Sequence, residues 1–543
     1  MKKKLLLTLL IVIGLISGIN YISSALITKK VNDILVKNNA FQNGVEYIKI
    51  DLWNQSVKII NPRFAPNQEK LDSLANSNLD TNHLENFASS SIEFNGVGFW
   101  KLLTKMEIEI DELTFNDFTI HQFQNSKIKD RKPKKDIQFD IESISIKEIN
   151  YLEIESISFK NFNYRVYDLG DRKLTFQTNK IDLNASGVKL VKVRDTTFKL
   201  LPTKDKFAIK DINLSFEKSH YNFNIGELSF DFINRSIEVS DLKLHPSIPK
   251  KELAKKYKFN NDIYSVDIPK LEFKGISLKR FIKDNDVFID TIILSNLDLK
   301  LFKDKHKPFD TKKRPKLPHT ALKKMSMDVD IKEIQIIASN ITLEELLADN
   351  NLEMQIPISE LNANIYNVSN IRENTPMTIN ASASIFDSKQ ASLEAIFRME
   401  NNTDDYFFKG ELKNTHMSIF DRALFPVLGL KILSGKIDNL SFYANGDSES
   451  ATGKMTFEYH DLKAEVFKKD SDDANKFLSW TVNRVIHKSN PRKGSKYPVE
   501  VDLEFERVKH KGMGNIFWKT IQDGLIKTIA PIGGKHKHKK KKD

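Results

Sequence analysis

The 543-residue sequence contains no cysteine, which excludes disulfide bonds, cysteine-ligated metal sites, cysteine nucleophiles and the modified cysteine of a bacterial lipoprotein. Catalytic motifs are absent as well, because no GxSxG, HExxH, GxGxxG or P-loop pattern occurs. His536 and His538 stand close together, but the lysine-rich tail around them repels metal cations. We therefore predict a protein that is not an enzyme and that needs neither a metal nor another cofactor.

Net positive charge is confined to two short segments. The chain carries a net charge of +12, of which Lys303–Lys324 contributes +7 and the tail Lys535–Asp543 contributes +5. The remainder of the chain is neutral, so no broad basic face for binding nucleic acid is predicted.

Long apolar runs are also rare, and the exception lies at the amino end. Leu5–Ile27 is a stretch of 23 residues without a charge, preceded by Lys2–Lys4. As a helix it would extend about 34 Å, which is enough to cross a bilayer. A signal peptide cleaved near Ser23–Ala25 is the alternative. We predict an uncleaved single-pass anchor over residues 1–28, with its amino end in the cytoplasm and the bulk of the chain exported.

A diverged repeat organises the rest of the chain. Ile141–Tyr151 and Ile154–Tyr164 are nearly identical, and their apolar residues stand at offsets 0, 3, 5, 8 and 10. The same offsets recur from Ile110, Ile268, Ile289 and Ile358. Two looser copies, beginning at Ile181 and Ile334, carry two extra residues in the middle. Repetition of this kind indicates a stacked or laterally extended array rather than one closed core.

The repeat is typical of strands, because apolar pairs two residues apart alternate with polar residues and β-branched types dominate. A spacing of three reverses the face of a flat strand, so a shared apolar face requires a bulge between pairs. We predict a mainly β fold: a long, curved antiparallel sheet with one apolar concave face and a few short helices, near 250–258, 419–427, 472–487 and 514–529. Candidates for lining an apolar groove are Ile144, Ile146, Ile157, Phe159, Leu271, Phe273, Leu294 and Ile336.

The last of these helices is amphipathic and precedes the basic tail. Its apolar residues Trp518, Ile521, Leu525 and Ile529 are spaced by three, four and four, and Lys535 and Lys537 follow. Such a helix suits an anionic membrane surface or an envelope protein. Alternatively, it caps the end of the sheet and the tail maintains solubility.

These features divide the chain into six regions. They are the anchor (1–28), an N-terminal β-groove region (29–302), a basic proline-rich crossing (303–326), a C-terminal β region (327–470), amphipathic helices with a closing strand (471–530) and a disordered basic tail (531–543).

The C-terminal third resembles a known family. Gly435–Phe467, which reads GKIDNLSFYANGDSESATGKMTFEYHDLKAEVF, is similar to the characteristic end region of AsmA-like proteins, particularly a Bacteroidetes-type branch formerly of unknown function. The stretches GELKNTHMSIFDRALFPVLGLKILSG and GNIFWKTIQDGLIKTI and the basic crossing resemble the same branch. The resemblance implies a protein of the bacterial inner membrane, with a repeating β-groove in the periplasm that carries phospholipid acyl chains or assists outer-membrane assembly.

Three functions follow from this combination. The first is binding or conduction of phospholipid or other acyl lipid along the apolar face, in support of outer-membrane lipid homeostasis. The second is a structural or assembly factor for outer-membrane biogenesis that acts through protein contacts. The third, an envelope hydrolase, requires a convergent polar pocket that the sequence does not indicate. Expected partners are therefore an acyl lipid and the inner membrane, contacted through residues 5–27.

Overall fold

The structure is a computed structural model, and it describes part of the chain. The described residues are 19–530 except 34–40, 67–68, 70, 73–83, 106, 125–150, 179–180, 195–196, 203–205, 217–219, 232, 278–279, 282–285, 350, 387, 389–390, 401–402 and 468–475. They form a mainly β protein, as predicted, and divide into two compact units at Asp241/Leu242.

The first unit contains helices α1 (19–33) and α2 (Phe99–Lys105) and fourteen described strands before the division. These are β1 (Phe41–Gly44), β2 (Tyr47–Asp51), β3 (Ser56–Ile60), β4 (Arg63–Pro66), β5 (Leu84–Ala88), β6 (Ser91–Asn95), β7 (Glu107–Asn116), β8 (Thr119–Gln124), β9 (Tyr151–Asp168), β10 (Leu174–Gln177), β11 (Ile181–Arg194), β12 (Thr197–Pro202), β13 (Lys206–Phe216) and β14 (Tyr221–Asp231). The division itself falls within β15 (Ser236–Pro246).

The second unit continues with eleven described strands and five α-helices. The strands are β16 (Ile263–Lys274), β17 (Val287–Ser295), β18 (Asp298–Asp304), β19 (Val329–Leu346), β20 (Glu353–Ser369), β21 (Met377–Ile385), β22 (Ala391–Phe397), β23 (Tyr406–His416), β24 (Leu430–Gly446), β25 (Ser450–Val466) and β26 (Glu500–Glu506). The helices are α3 (Lys250–Lys256), α4 (Pro318–Lys323), α5 (Asp421–Leu428), α6 (Lys476–Val485) and α7 (Met513–Ile529). The short helices predicted near 250, 419, 472 and 514 are thus confirmed as α3, α5, α6 and α7.

One parallel step interrupts the antiparallel pairing in each unit. In the first unit β7 and β8 run parallel to β9, and in the second β17 and β18 run parallel to β19. Parallel neighbours require a crossover connection of about a dozen residues or more, and segment 305–328, which includes α4, provides it in the second unit. The sheets are therefore mixed, and the prediction of a purely antiparallel sheet is wrong at these two steps.

A residue in the left-handed conformation divides four of the repeats at the same place, seven positions after the first apolar residue. These residues are Asp117, Asn161, Gly275 and Asn296, with φ of 50°, 56°, 68° and 57°. Glycine, asparagine and aspartate adopt this conformation most readily. At Asn161 the pairing with β11 also shifts, since Phe162 faces Ile181 while Phe159 faces Leu183. The predicted bulge between apolar pairs is confirmed.

The most deeply buried core lies among the last strands of the second unit, under α7. Phe408, Met455, Leu503 and Ile516 are each at most 2% exposed. The buried cluster of the first unit is smaller and consists of Ile92, Val97, Ile110, Leu113 and Ile154.

No helix within the described residues is long and apolar enough to cross a membrane. Residues 1–18 of the predicted anchor lie outside the described part, and residues 19–28 belong to α1. The transmembrane helix therefore stays a prediction without structural support.

Candidate functional site

Six phenylalanine rings form a continuous aromatic surface on the sheet of the first unit. We call this set the phenylalanine cluster; its members are Phe64, Phe87, Phe115, Phe118, Phe159 and Phe162. Neighbouring ring centroids lie between 4.6 and 6.0 Å apart, which is the range of favourable aromatic contact. All six side chains are only partly buried.

The bulges bring these rings together. Phe115 and Phe159 stand opposite each other on the parallel strands β7 and β9, and their rings stack at 4.6 Å with 7° between the planes. Phe118 and Phe162 each follow three residues later, beyond the left-handed residue of their repeat. Without that residue an interval of three would reverse the face. With it, the ring of Phe118 contacts Phe115 at 5.2 Å and Phe162 at 6.0 Å.

A second apolar surface crosses the sheet of the second unit. Leu271, Leu294 and Ile336 are directly opposite one another on β16, β17 and β19, and the row continues through Ala363 and Ala381. Where the row changes to alanine, an open hollow of about 490 Å³ lies over the sheet, lined by Ile336, both alanines and polar residues that include Asn364 and Asn380.

The described members of the predicted groove therefore lie on two surfaces, one in each unit. Phe159 belongs to the phenylalanine cluster, whereas Ile157 packs against the buried cluster of the first unit. Phe273 packs against the buried core of the second unit, beside the row formed by Leu271, Leu294 and Ile336. The other two candidates, Ile144 and Ile146, lie outside the described residues.

Helix α7 closes the apolar face over the last strands of the second unit. Its line of closest contact is Ile516, Thr520, Gly524 and Thr528, all of which are buried. A Cβ atom on Gly524 would lie 2.5 Å from Leu503 Cδ2 and 2.6 Å from Met455 Sδ, so the helix backbone approaches the sheet closely.

The membrane-surface candidates on α7 differ in their exposure. Ile521, Leu525 and Ile529 flank the contact line and pack against the core. Trp518 is 49% exposed and is thus the described candidate that remains open to a partner. Lys535 and Lys537 lie outside the described part of the chain.

Positive charge collects where the crossover meets the start of α7. The Nζ atoms of Lys511 and Lys305 lie 4.7 and 5.5 Å from the ring centroid of Phe309. Burial, together with the charges of Lys305 and Lys519, holds the pKa of Lys511 below its usual value. Among the described residues no carboxylate forms an ion pair with Lys511, whereas Lys305 is paired with Glu345 at 2.9 Å.

Charged residues elsewhere follow the pattern of a solvated sheet face. Cross-strand ion pairs such as Lys58–Glu93, Lys210–Glu227 and Lys409–Glu394 join partly exposed side chains. Within the described residues no group of three or more His, Asp or Glu could hold a metal ion. The apolar surfaces are therefore the feature with the clearest binding chemistry.

Comparison with known proteins adds no identification. No family model matches the chain, and no curated protein matches it at a significant level. The resemblance to AsmA-like proteins accordingly stays a prediction.

Sequence reasoning missed part of the aromatic surface. Phe64 and Phe87 lie on the short strands β4 and β5, which carry no full copy of the repeat. Phe118 and Phe162 occupy repeat positions, and their place beyond the left-handed Asp117 and Asn161 was the signal that could have grouped them with Phe159.

Proposed function

We propose that this protein binds the acyl chains of phospholipids on the apolar surfaces of its sheets, with no catalytic step. The phenylalanine cluster is the observation that carries the proposal. Six large rings in mutual contact, all partly accessible to solvent, form an apolar area that water solvates poorly. An acyl chain lying across the rings would remove that area from water.

Two further observations support lipid rather than a small polar ligand. The row from Leu271 to Ala381 provides a second apolar strip across the sheet of the second unit. Lys511, which forms no ion pair within the described part of the chain, is a suitable partner for an anionic group such as a lipid phosphate. The transport of such lipids between membranes, and a location in the bacterial envelope, belong to the same proposal.

An assembly factor that works through protein contacts is the second candidate. The closure of the last strands by α7 favours it, because a covered apolar face needs no lipid. The two candidates therefore differ over whether the partly exposed rings of the first unit hold lipid.

The test is uptake of phospholipid by the full chain. We would purify the protein from a bacterial envelope, count co-purifying lipids by native mass spectrometry and measure uptake of a phosphatidylethanolamine with a fluorescent acyl chain. Phe159→Ser should lower both quantities several-fold because it opens a polar gap in the cluster, whereas Phe159→Leu should retain them.

Phe281→Ser is the matched control, since Phe281 is 50% exposed and lies outside the cluster. It makes the same chemical change, and we expect it to leave uptake intact. A folded wild-type chain that neither carries nor takes up phospholipid would refute the proposal and favour the assembly factor. Equal losses in Phe159→Ser and Phe281→Ser would also count against the cluster.

A further inference from the structure

Helix α1 lies along the edge of strand β2 and is joined to it by a ladder of polar side chains. Four residues of the helix, spaced by four, accept hydrogen bonds from backbone N–H groups on or beside the strand. The pairs are Asn20 with Leu52 (3.4 Å), Ser24 with Ile50 (2.8 Å), Thr28 with Ile48 (2.8 Å) and Asn32 with Val45 (2.9 Å). We call these four side chains the edge ladder.

The spacing of the edge ladder follows from helix and strand geometry. Four residues of an α-helix rise about 6.0 Å, and two residues of a strand advance about 6.6 Å. A polar residue at every fourth helix position therefore meets every second strand residue at Leu52, Ile50 and Ile48, whose N–H groups point outward from the edge. The fourth pair lies beyond the strand, at Val45, three residues before Ile48. The ladder thus occupies donors that an exposed edge would offer to another chain.

The polarity of α1 is consequently reversed relative to an ordinary surface helix. Such a helix buries its apolar stripe and exposes its polar one. Here Ser24 is buried, while the opposite side is apolar and open: Leu26 is 64% exposed, Ile22 60% and Ile19 54%. Nothing among the described residues covers this outward face.

The turn between β2 and β3 presents a further exposed apolar surface at the amino end of the described helix. Leu52 is bonded to Asn20, at the amino end of the described helix, and Trp53 follows it. Both side chains are exposed, Trp53 to 77%. An exposed tryptophan beside the end of an apolar helix face is typical of the zone between lipid and water.

The adjoining sequence identifies the covering partner by its chemistry. The outward face continues an uncharged run that begins at Leu5, and the exposed Lys29 and Lys30 follow where that face ends. Apolar residues bounded by tryptophan and lysine match a bilayer and its interface.

We propose that the outward face of α1 and the Leu52–Trp53 turn lie against phospholipid acyl chains, and that the edge ladder fixes the first edge of the sheet at the bilayer surface. The helix thereby acts as an adaptor, with one side on lipid and the other on β2. This placement stands whether or not the sheet itself binds acyl chains.

The absence of cysteine allows a direct test in the full chain. Single cysteines at Ile22, Leu26 and Trp53 would carry nitroxide labels in vesicles of phosphatidylethanolamine and phosphatidylglycerol, and Tyr497→Cys, 70% exposed in the second unit, is the control. We expect labels at 22, 26 and 53 to be relaxed strongly by oxygen and weakly by a water-soluble nickel chelate, with the reverse at 497.

Other outcomes would overturn the proposal in distinct ways. Labels at 22 and 26 that are as accessible to the chelate as the label at 497 would exclude the bilayer. Shielding from both reagents would indicate a protein partner or a second copy of the chain. Lipid exposure at 22 and 26 with an aqueous label at 53 would show that the edge is not fixed at the surface.

Discussion

Gly275→Ala offers the sharpest test of the bulges that shape both sheets. Gly275 has φ of +68°, and a Cβ atom there would lie 1.9 Å from Asp290 Oδ2 and 2.5 Å from its Cγ. The left-handed conformation costs an alanine roughly 1–2 kcal/mol, and displacing a packed neighbour costs about 1–3 kcal/mol. We therefore expect the free energy of unfolding to fall by about 2–5 kcal/mol.

Two other glycines of the second unit separate these contributions. Gly494 has φ of +88° with nothing within 4 Å, so Gly494→Ala should lose only about 1–2 kcal/mol. Gly514 lies in α7, also in open space, and Gly514→Ala should stabilise the helix by up to about 1 kcal/mol. Urea unfolding followed by circular dichroism measures all three variants on the same chain.

A second substitution makes the reasoning refutable. Asp290→Ala removes the carboxylate that the new methyl group would strike but leaves the Asp290 Cβ atom 2.7 Å from it, so the double variant should recover only part of the loss. The recovery is measured against Asp290→Ala alone, because that variant also loses the ion pair with Lys332. If Asp290→Ala restores nothing to Gly275→Ala, the close approach of the two strands is not the cause. The equivalent pair Gly96 and Asp111 in the first unit, with a contact of 2.0 Å, should behave in the same way.

Three further predictions concern single side chains. Asn161→Gly and Asn161→Val both lose the hydrogen bond from Asn161 Nδ2 to Asp117 Oδ1, but only glycine readily accepts φ of 56°. Asn161→Val should therefore be less stable than Asn161→Gly by about 1–2 kcal/mol in the same urea assay, and equal stabilities would contradict the bulge. Ser24→Ala leaves the buried N–H of Ile50 without its acceptor, which should cost about 1–3 kcal/mol of stability. Hydrogen exchange of the Ile50 amide should therefore accelerate at least about tenfold. The control Ala25→Ser changes an exposed position of the same helix and should leave this exchange rate unchanged. Burial lowers the pKa of His319 in the folded chain, so the unfolded chain binds more protons at this residue. The contribution of His319 to stability should therefore be full above about pH 6.5 and should decline as the pH falls below that value. In His319→Leu the midpoint of urea unfolding should depend less on pH between 7.5 and 5.5, and an unchanged dependence would exclude His319 as its source.

The repeated offsets were sufficient to predict strands, their apolar positions and the need for a bulge. The bulge residues themselves could also have been predicted from the sequence. They share one offset in the repeat and belong to the residue types that accept positive φ; they are Asp117, Asn161, Gly275 and Asn296. The short helices were also predictable, because Pro249 begins α3 and an apolar period marks α7.

The parallel steps could not be read from these local patterns. A strand has the same apolar period whether its neighbour runs parallel or antiparallel, and the connection decides the direction. Segment 305–328 carries the clearest break in composition, and it resembled a linker. In the structure it is a packed crossover in which Leu317, His319 and Leu322 are buried.

Hydrophobicity alone also does not predict which faces of α7 and α1 pack against the sheets. The contact line of α7 includes Thr520, Gly524 and Thr528, whose small side chains permit a close approach to the sheet. In α1, Asn20 and Ser24 stand four residues apart within the apolar run. Interpreting this run as a transmembrane segment assigns these two polar residues no role, so their contact with β2 was not predicted.

The same spacing of four against two recurs at the other end of the chain. Ser479 and Asn483 of α6 accept the N–H groups of Val466 and Ala464, and Asp523 of α7 accepts that of Glu504 on β26. The first edge of one unit and the last edge of the other are thus occupied by side chains of the protein itself. Another copy cannot pair its backbone with either of these edges without displacing a helix. Each edge is therefore protected against the edge-to-edge association that leads β proteins to aggregate.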